Sequence, residues 1–596
     1  MCFSSGFAEV GGEGAALQRR LMKSAGDMAI LGPNCYGMLN YLDGAALWPD
    51  QHGGQRVERG VAIITQSGNM GLNLTMQRRS LSIAYLMTVG NKAGVNVHDL
   101  VEALLDDPRV GAIGLHLEAL DDIPAFSRAA IKALRRRIPL VVLKAGSSDL
   151  GAETTVSHTS SLAGSDILYD ALFKRLGIAR VQDPVGLLET LKFLSVHGGL
   201  PGKRVISASC SGGEAALVAD LAQPRGLDLP RIPDQSHRRL HRVLGDRVNI
   251  ANPLDYHTYI WGDLAAQTEC FAGMMDCRFD AHLLLLDFPR DDRCTAADWD
   301  TTLDAFIAAR RASGEQARAS VVASMAEGLP ESVRRRLLAE GIAPMQGLAE
   351  CLDAVASAAR IGAAQARAGE ILPIAPLPAR PKRSVGMLDE MQSKRALAAF
   401  GLPVPEGEVT SAEEAPAAGV RLGWPVVVKA VGETLAHKSE SGGVRLNLGS
   451  IDEVWTAVQS MRGLSDRFLI ERMACEAVAE LIIGVRCDAQ FGLALTLGAG
   501  GTLVELLEDT TTLILPASPA DIRAALQSLR VYPLLAGYRE RPAGDIAAVL
   551  EAVDAVLRYA DANRDRLQEL DVNPLLVLPE GRGVVAVDAL IRLYGG

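Results

Sequence analysis

The sequence lacks the features that mark a membrane or secreted protein. It has no uninterrupted apolar run of the length needed to cross a bilayer. Its start, MCFSSGFAEVGGEG, has no basic segment followed by an apolar one, so we expect no signal peptide. The nine cysteines include no CxxC pair, which favours reduced thiols over a disulfide framework. We therefore expect a cytoplasmic protein that has no membrane partner.

An excess of positive charge is also absent. The 60 Lys and Arg residues are outnumbered by 71 Asp and Glu, and the resulting net charge of -11 argues against a general nucleic-acid-binding protein. Hydrophobic residues make up 48% and charged residues 22% of the chain, as in globular proteins. A chain of 596 residues exceeds what one hydrophobic core supports, so we expect several domains.

Short apolar runs closed by Gly or Ser alternate with amphipathic helices before residue 366. Examples are GVAIITQSGNMG, GAIGLHLEAL, RIPLVVLKAGSS, KRVISASCSGGEAALVADL and AHLLLLDFPRD. Runs that are apolar on both faces predict buried parallel strands in an α/β fold. Ligands of such sheets bind beyond the carboxyl ends of the strands, where TQSGNMG, AGSS and CSGGEA are expected to lie.

A proline-rich segment, ARAGEILPIAPLPARPKRS at 366–384, predicts an extended linker and a domain boundary. After it, MLDEMQSKRALAAFGLPVP predicts a helix that ends at a Gly-Leu-Pro turn. WPVVVKAVG, FLIERM, AELIIGVRCD and ELDVNPLLVL then predict strands. This last part of the chain is expected to be an α+β domain.

Three small-residue turns are candidates for holding an anion. They are GPNC at 32–35, TQSGNMG with Ser67 and Gly68, and CSGGEA with residues 211–214. Each joins a predicted strand to a helix, where backbone N–H groups and the helix dipole favour negative charge. Each turn alone is more often a tight turn than a ligand site. Together they indicate a nucleotide-like or CoA-like ligand.

His158 lies in a run of small and polar residues, TVSHTSSLAGSD, without a second metal ligand at suitable spacing, so a zinc site is a poor interpretation. Neutral imidazole is nucleophilic near pH 7, and a phosphoimidazole can pass its phosphate on. Glu118 in GLHLEAL could accept the other ring N–H and orient the imidazole. We therefore predict a mobile loop with a phosphate-carrying histidine; an ordinary surface histidine is the alternative.

Two features after the linker indicate a nucleotide site. Lys429 ends a predicted strand, and His437 and Lys438 lie in a polar turn before a glycine pair, a combination that suits a triphosphate. Asn573 and Asp588 end apolar strands and offer the oxygen ligands that Mg²⁺ takes beside phosphates. A solvated lysine and ordinary turn residues are the alternatives. The presence of all these residues in one domain favours the nucleotide and metal interpretation.

These motifs, in this order, resemble those of the NDP-forming acyl-CoA synthetases, relatives of succinyl-CoA ligase with a fused ATP-grasp domain. The segments that carry the resemblance are SGFAEVGGEG, GPNCYG, TQSGNMG, TVGNKAG, SHTSSLAGSD, VVVKAVGETLAHKSESGGVRL, IIGVRCDAQFG and ELDVNPLLVLPEG. The resemblance covers nearly the whole chain and implies an α/β fold. It implies a C-terminal remnant of a CoA-binding Rossmann-like domain at 1–55, two flavodoxin-like succinyl-CoA ligase-type domains at 56–198 and 199–365, a linker at 366–384 and an ATP-grasp α+β domain at 385–596.

The resemblance also implies roles for individual residues. His158 would be the main phosphate carrier, Glu118 its stabilising carboxylate and His437 a second transient carrier. The implied nucleotide-binding residues are Lys429, Lys438, Glu471 and Glu480. The implied CoA- and phosphate-binding residues are Gly32, Asn34, Ser67, Gly68 and Asn91. Asn573 and Asp588 would hold Mg²⁺, and the substrates would be ATP or another NTP, CoA and a carboxylic acid.

The function implied is that of an acid:CoA ligase, which forms an acyl-CoA through an acyl phosphate and a phosphohistidine and releases ADP and phosphate. A catalytically reduced nucleotide- or acyl-CoA-sensing protein and an ATP-grasp acid:amine ligase are the alternatives. We expect a homo-oligomer, with a dimer as one option.

Aromatic residues in ALWPDQHGG at 46–54 and NPLDYHTYIWGD at 252–263 resemble variants that act on larger acids, including hydroxycinnamates such as ferulate, although core packing also explains them. Within the second segment, Asp255 and His257 are expected to be a turn-capping pair rather than substrate ligands.

Overall fold

The computed structural model describes residues 1–148, 150, 165–314, 317–376, 385–432, 442–474, 476–501 and 508–595. The chain forms two compact units, Met1–Pro373 and Ile374–Gly596. Their division falls inside the proline-rich segment predicted as a linker, of which residues 377–384 lie outside the described residues. The predicted site residues His158, His437 and Lys438 also lie outside them.

The first unit is built from strands that alternate with helices. Its strands are β1 (Met38–Asn40), β2 (Ala45–Leu47), β3 (Gly60–Thr65), β4 (Ile83–Thr88), β5 (Val110–Leu117), β6 (Leu140–Lys144), β7 (Ala179–Val181), β8 (Val205–Ser209), β9 (Leu254–Asp255), β10 (Ala281–Leu285), β11 (Ala319–Ala323) and β12 (Ala343–Gln346). Its helices are α1 (Gly12–Ala25), α2 (Gly68–Thr75), α3 (Val97–Leu104), α4 (Ile123–Arg135), α5 (Asp166–Arg175), α6 (Pro184–His197), α7 (Gly212–Ala222), α8 (Asp234–Leu244), α9 (Leu264–Met275), α10 (Ala297–Ser313), α11 (Glu331–Ala339) and α12 (Leu348–Ala366).

The first sheet of this unit has the strand order β2-β1-β4-β3-β5-β6-β7. Every residue of β3 is buried, as expected for a central strand whose two faces are both covered. Strands β3 to β7 pair in parallel, whereas β1 and β2 add an antiparallel edge. The segment predicted as a separate remnant at 1–55 thus contributes two strands to the sheet of the domain predicted at 56–198.

The register of the parallel strands brings four strand ends to one edge of the first sheet. Thr65 at the end of β3 pairs with Thr88 of β4 and with His116 of β5. Leu117 of β5 in turn pairs with Lys144 of β6. The turns that follow β3, β4, β5 and β6 therefore lie along this one edge, which we call the carboxyl edge of the first sheet.

The second sheet has the strand order β12-β11-β10-β8-β9, and all its pairs are parallel. Helices α6 and α12 contribute buried side chains to a core that includes residues of both sheets, among them Leu187, Leu191, Leu352 and Val355. The predicted α/β class with flavodoxin-like sheets is confirmed by this topology.

A buried ion network joins the two sheets of the first unit. Glu189 of α6 is fully buried and accepts hydrogen bonds from Arg79 and Lys192, both at 2.9 Å. Its other oxygen accepts from the backbone N–H of Gln346, at the end of β12, at 2.9 Å. Because a buried carboxylate must be compensated, these contacts fix the segment after α2 against the second sheet.

The second unit contains antiparallel sheets. Its strands are β13 (Val385–Leu388), β14 (Gly407–Thr410), β15 (Val426–Ala430), β16 (Val444–Leu448), β17 (Phe468–Arg472), β18 (Ala479–Asp488), β19 (Gly492–Ala499), β20 (Thr510–Ile514), β21 (Leu567–Val577), β22 (Val584–Ala586) and β23 (Ala589–Tyr594). Its helices are α13 (Glu390–Ala398), α14 (Ala415–Leu422), α15 (Ile451–Met461), α16 (Pro519–Gln527), α17 (Tyr532–Leu535) and α18 (Ile546–Ala562). One sheet has the order β13-β23-β21-β18-β19-β20, with β22 beside β21, and the other has the order β14-β17-β15-β16.

Helix α13 begins where the sequence predicts it, before the Gly-Leu-Pro turn. The Asp389 side chain accepts a hydrogen bond from the Gln392 N–H at 2.8 Å, and the Gln392 side chain accepts one from the Asp389 N–H at 3.0 Å. This capping box satisfies two backbone donors at the helix start. It also fixes the direction in which the first turn of α13 projects its side chains.

Two general expectations from composition can be compared with the fold. No helix in the described part of the chain is long and apolar enough to cross a membrane. The eight cysteines within the described residues are all free thiols.

Three histidines of the first unit, the buried His116 and His282 and the half-buried His197, are held neutral. Burial lowers the pKa of His116 to about 4, of His197 to about 3 and of His282 to about 4. His282 of β10 is fully buried, and neither ring nitrogen has a hydrogen-bond partner among the described residues. The unfolded chain, whose histidines titrate near their ordinary pKa of about 6.5, binds these protons more readily.

Replacing His282 by Leu is therefore expected to reduce the acid sensitivity of the fold. Its folded pKa is depressed, so the stability it contributes is complete above about pH 6.5 and is lost as the pH falls toward about 4, a change of up to about 3 kcal/mol. The free energy of unfolding, measured by urea titration near neutral pH and at about pH 4.5, should fall less in the variant. The exposed His241→Leu should behave like the wild type, and an unchanged acid loss in His282→Leu would contradict this account.

Close packing of two turns at the carboxyl edge of the first sheet depends on Gly90. The Asn91 N–H donates to the Pro33 carbonyl at 2.9 Å, so the turn after β4 lies directly on the GPNC turn. Gly90 has φ +53°, and a Cβ there would lie 2.2 Å from the Pro33 oxygen and 2.4 Å from the Asn34 oxygen. Both atoms belong to the backbone, so they cannot swing away as a side chain would.

Gly90→Ala should destabilise the first unit more than Gly226→Ala does. Gly226 has φ +65° but nothing within 4 Å of a Cβ, so alanine there meets only the backbone strain, about 1 kcal/mol. At Gly90 the steric clash adds to that strain, and we expect a further loss of about 2 kcal/mol or more. Thermal unfolding of the two variants side by side measures the difference, and equal losses would exclude the close turn contact.

Candidate functional site

The turn after β3 places Ser67 and Gly68 at the start of α2. The Ser67 hydroxyl accepts a hydrogen bond from the Met70 N–H at 3.3 Å, and the Thr65 hydroxyl accepts from the Ser67 N–H at 3.1 Å. A Cβ on Gly68 would lie 2.1 Å from the Tyr36 ring, so the GPNCYG segment packs on this helix start. The two predicted phosphate-binding residues are thus held next to that segment.

The other three predicted CoA- and phosphate-binding residues lie at the same edge. Asn34 has φ +57° and donates its side-chain amide to Asn91 Oδ1 at 3.5 Å. The Ala93 N–H donates to the Gly32 carbonyl at 3.1 Å. The structure therefore brings Gly32, Asn34, Ser67, Gly68 and Asn91 together at the carboxyl edge of the first sheet.

Two residues from the start of the chain fix the Asn91 side chain. Asn91 Nδ2 donates to Glu9 Oε2 and, at 3.1 Å, to Gln18 Oε1. Glu9 also accepts from the Gly6 N–H at 2.6 Å, and this set of donors lowers the pKa of its carboxyl although partial burial raises it. Glu9 belongs to the quoted SGFAEVGGEG segment, but its role as a support for Asn91 was not predicted.

Glu118 follows β5 and is positioned through its backbone. The Glu118 N–H donates to Gln66 Oε1, which also accepts from the Ala119 N–H at 2.9 Å. Gln66 Nε2 donates to the Ala119 carbonyl at 2.6 Å, and the Lys92 ammonium donates to the same oxygen at 3.2 Å. Gln66 and Lys92 are both buried, so the segment that carries the Glu118 carboxylate is tied to the turns after β3 and β4.

Lys144 at the end of β6 is a buried cation at the same edge. Its Nζ donates to the Ala145 carbonyl at 2.5 Å and lies 4.6 Å from the centre of the Tyr169 ring. Burial lowers the pKa of Lys144 to about 8, and the Glu118 carboxylate acts in the opposite direction. A run such as PLVVLK predicts a strand, but nothing in it indicated that the terminal lysine would be buried.

The third predicted anion turn, CSGGEA, begins α7 at the end of β8, with Ser211 as the N-cap residue. Burial and the nearby Asp287 and Asp255 carboxylates raise the pKa of Glu214, so this turn has acidic surroundings. The His257 N–H donates to Asp255 Oδ1 at 2.9 Å, which is the turn contact expected for this pair.

The aromatic residues of NPLDYHTYIWGD divide between core and surface. Tyr256 is fully buried and packs edge-on against Phe271, with ring centres 5.5 Å apart. Tyr259 is exposed and stacks near His257, whereas Trp261 packs on Trp299. Core packing therefore accounts for Tyr256, and Tyr259 remains a surface aromatic residue.

In the second unit, Lys429 and Glu471 belong to a buried cluster with Glu390 and Lys394, which we call the Lys–Glu quartet. Lys429 Nζ lies 2.6 Å from Glu390 Oε1 and 3.2 Å from Glu471 Oε2. Lys394 Nζ lies 2.7 Å from Glu390 Oε1 and 2.7 Å from Glu471 Oε1. Burial alone would lower the pKa of Lys429, but the Glu390, Glu471 and Asp588 carboxylates hold it above its usual range.

The strand pairing explains how the quartet forms. Val427 of β15 pairs with Glu471 of β17, so Lys429, two residues along, projects to the same face of the sheet as Glu471. Glu390 and Lys394 are four residues apart on α13 and therefore lie on one face of that helix. The quartet thus joins α13 to two strands, and Glu390 and Lys394 are members that the sequence did not reveal.

The remaining described residues predicted to bind the nucleotide or its metal are Glu480, Asn573 and Asp588. Asn573 Oδ1 accepts from the Gly501 N–H at 3.0 Å, and a Cβ on Gly501 would lie 1.8 Å from Glu480 Oε2. The residue before Asp588, Val587, accepts from Lys429 Nζ at 2.5 Å. Lys429 is thus tied to the segment that carries Asp588, whereas Glu480 and Asn573 are linked to each other through Gly501.

The donor chemistry around Asp588 fits a magnesium ion. Burial together with the Glu569 and Asp588 carboxylates raises the pKa of Asp571 to about 6, so negative charge is concentrated here. No group of three or more His, Cys, Asp or Glu side chains suited to a metal is present among the described residues. An amide oxygen and one carboxylate suit Mg²⁺ bound jointly with nucleotide phosphates and water, because Mg²⁺ keeps few protein ligands in such sites.

Comparison with known families divides the chain as the two units suggest. Residues 380–593 match the ATP-grasp domain family. Residues 58–194 match the succinyl-CoA ligase like flavodoxin domain family. The two matches cover most of the second unit and strands β3 to β7 of the first sheet.

Curated proteins similar to this chain are ADP-forming CoA ligases and a related synthase. A trans-feruloyl-CoA synthase from an unknown prokaryotic organism is 29% identical, across 99% of this chain and 85% of that protein. The beta subunit of the ADP-forming acetate–CoA ligase II of Pyrococcus furiosus is 36% identical, across 35% of this chain and 91% of that subunit.

A solved structure is similar to part of this chain. The dinucleotide forming acetyl-coenzyme A synthetase 1 of Candidatus Korarchaeum cryptofilum, in complex with phosphate and ADP, superposes with a TM-score of 0.53 at 25% identity, covering 63% of this chain and 79% of that one. The domain matches, the relatives and this superposition agree with each other and with the motif order. The chain belongs to the ADP-forming acyl-CoA synthetase family, with its succinyl-CoA ligase-like and ATP-grasp domains in one polypeptide.

Proposed function

We propose that the protein is an acid:CoA ligase that makes an acyl-CoA from a carboxylic acid, CoA and ATP and releases ADP and phosphate. The observation that carries the proposal is the pair of sites described above. One unit holds small-residue turns and the backbone-clamped Glu118 at a single sheet edge. The other unit holds a buried lysine beside oxygen ligands suited to a metal nucleotide. The family membership supports the same reaction.

The chemistry requires an activated acid, because hydroxide is a poor leaving group from a carboxylate. His158 attacks the γ-phosphorus of ATP, so a P–N bond forms and ADP leaves. A carboxylate oxygen of the acid then takes the phosphoryl group from His158, forming an acyl phosphate. The CoA thiol, losing its proton, attacks the acyl carbon, and inorganic phosphate leaves with that carboxylate oxygen.

Residues at the carboxyl edge of the first sheet would serve the phosphohistidine and the CoA. We assign to Glu118 the hydrogen bond that orients the His158 imidazole, since Gln66 holds the Glu118 N–H and Lys92 holds the carbonyl of the next residue, Ala119. The Ser67–Gly68 helix start and the Asn34–Asn91 pair are assigned to phosphate and CoA groups. His437 is assigned as a second transient phosphate carrier, and Lys438 and Glu480 as further contacts to the nucleotide.

Asn573 and Asp588 would hold Mg²⁺ in the nucleotide site. The ion, when bound, neutralises charge on the ATP phosphates and so supports phosphoryl transfer. Lys429 contributes a fixed positive charge next to this position, and Glu471 holds that lysine in place. These roles rest on the oxygen donors and the charge balance around Asp588.

Three finer points are also proposals. We infer a cytoplasmic location from the free thiols, and a homo-oligomer, such as a dimer, that sedimentation would reveal. The acid remains to be identified, and relatives named for trans-feruloyl-CoA and for acetate indicate both aromatic and short-chain acids as candidates. The exposed Tyr259 favours testing an aromatic acid.

Incubation with ATP labelled at the γ-phosphate and Mg²⁺ should place acid-labile label on the protein. His158→Ala should abolish thioester synthesis and the label that maps to position 158, because the main carrier is lost, whereas label on His437 should remain. Glu118→Gln should slow labelling by about 10²-fold or more, because the amide cannot stabilise the positive charge on the attacking imidazole as a carboxylate does. Label retention and acyl-CoA formation with acetate and with trans-ferulate are the measurements.

The exposed His241→Ala is the matched control, since His241 pairs only with a surface aspartate and should keep full labelling. Full thioester synthesis in His158→Ala would contradict the phosphohistidine route. CoA-independent discharge of the label onto an amine would instead support an acid:amine ligase. Label that neither an acid nor CoA discharges would support a sensing protein.

A further inference from the structure

The Lys–Glu quartet and the Val587 carbonyl surround the Lys429 ammonium with oxygen atoms. An ammonium group has three N–H bonds. Lys429 Nζ donates to Glu390 Oε1 at 2.6 Å and to Val587 O at 2.5 Å, and it lies 3.2 Å from Glu471 Oε2. A nucleotide phosphate that binds Lys429 must therefore compete with these oxygens for the ammonium.

Lys394 keeps the quartet neutral and so lowers the electrostatic cost of bringing a phosphate to Lys429. Its Nζ lies 2.7 Å from Glu390 Oε1 and 2.7 and 2.8 Å from the two oxygens of Glu471, and its side chain is 1% exposed. It thus neutralises the same two carboxylates that hold Lys429. Without it, two buried carboxylates would share the single ammonium of Lys429, and an uncompensated negative charge would face the arriving phosphate.

We propose that Lys394 and Glu390 are positioning residues for the nucleotide, and that the balance of charge within the quartet sets how strongly Lys429 is available to a phosphate. This inference rests on the proposed function, in which Lys429 contacts ATP. Lys394 itself stays with Glu471 and does not touch the ligand. Glu390 holds Lys429 in place through Oε1, the atom that it shares between the two lysines.

The test varies the quartet charge and measures binding of Mg-ADP to the full-length protein by calorimetry. The wild-type quartet is neutral, Lys394→Met makes it negative, Glu390→Gln makes it positive, and the double variant restores neutrality. We expect Lys394→Met to bind at least about tenfold more weakly and Glu390→Gln at least about threefold more tightly than the wild type. The double variant should lie within about threefold of the wild type.

Arg421→Met is the matched control, because Arg421 forms an exposed ion pair with Glu408 in the same unit and its loss removes one positive charge outside the quartet. It should leave the affinity unchanged. Thermal unfolding of every variant without nucleotide separates positioning from stability, because a merely structural role makes affinity follow the unfolding temperature. If Lys394→Met fails to fold, Glu390→Gln and the double variant still test the predicted order of affinities for Mg-ADP.

The possible failures can be told apart. A wild-type protein that binds no Mg-ADP contradicts the proposed function itself. Equal affinities across the quartet variants, or affinities ordered by thermal stability, overturn the quartet inference and leave the ligase proposal standing. An affinity for Mg-ADP that is highest in Glu390→Gln, intermediate in the wild type and the double variant, and lowest in Lys394→Met supports the quartet inference.

Discussion

The parallel pairing of β3 with β4 and β5, and of β5 with β6, is the constraint on which the first unit depends. It forces four strand ends to one edge, so that residues far apart in sequence become neighbours. Hydrogen bonds then fix the geometry at that edge, with Gln66 holding the segment of Glu118 and the Pro33 carbonyl receiving the N–H of Asn91. These turns consist largely of small residues because one backbone segment packs directly on another, as the lack of room for a Cβ at Gly90 shows.

In the second unit the main constraint is the burial of charged side chains next to the proposed nucleotide site. Four ionised side chains are removed from water in the quartet, a state that persists only because each charge has at least two opposite partners. Near Asp588, burial and the neighbouring Glu569 and Asp588 carboxylates raise the pKa of Asp571 to about 6. A metal cation bound beside Asp588 would reduce the repulsion among these carboxylates.

Much of the fold could be predicted from the sequence because its signals are local. Apolar runs closed by Gly or Ser gave the buried parallel strands, and a proline cluster marked the segment where the two units divide. The motif order indicated the family. The family resemblance implied the set Gly32, Asn34, Ser67, Gly68 and Asn91, and the rule that ligands bind at the carboxyl ends of parallel strands predicted the position of the Ser67–Gly68 turn.

The supports of the candidate site could not be predicted, because they depend on tertiary contacts. Glu390 and Lys394 have the i, i+4 spacing that is common on exposed helix faces, and only their tertiary contacts with Lys429 of β15 and Glu471 of β17 make them a buried pair. Gln66 sits in a turn motif where only its neighbours Ser67 and Gly68 suggested function, and Gln18 carries no signal at all. Burial decides the role of each of these side chains, and burial of a polar residue leaves no periodic pattern in a single sequence.

The central claim is that the acid takes its phosphoryl group from the protein. The most direct test phosphorylates the protein with ATP, removes all nucleotide and then adds CoA with an acid whose carboxylate oxygens are both ¹⁸O. The account predicts one acyl-CoA for each phosphoryl group lost, together with inorganic phosphate that carries one ¹⁸O atom. Phosphate free of ¹⁸O, or acyl-CoA that forms only after ATP is returned, would contradict it.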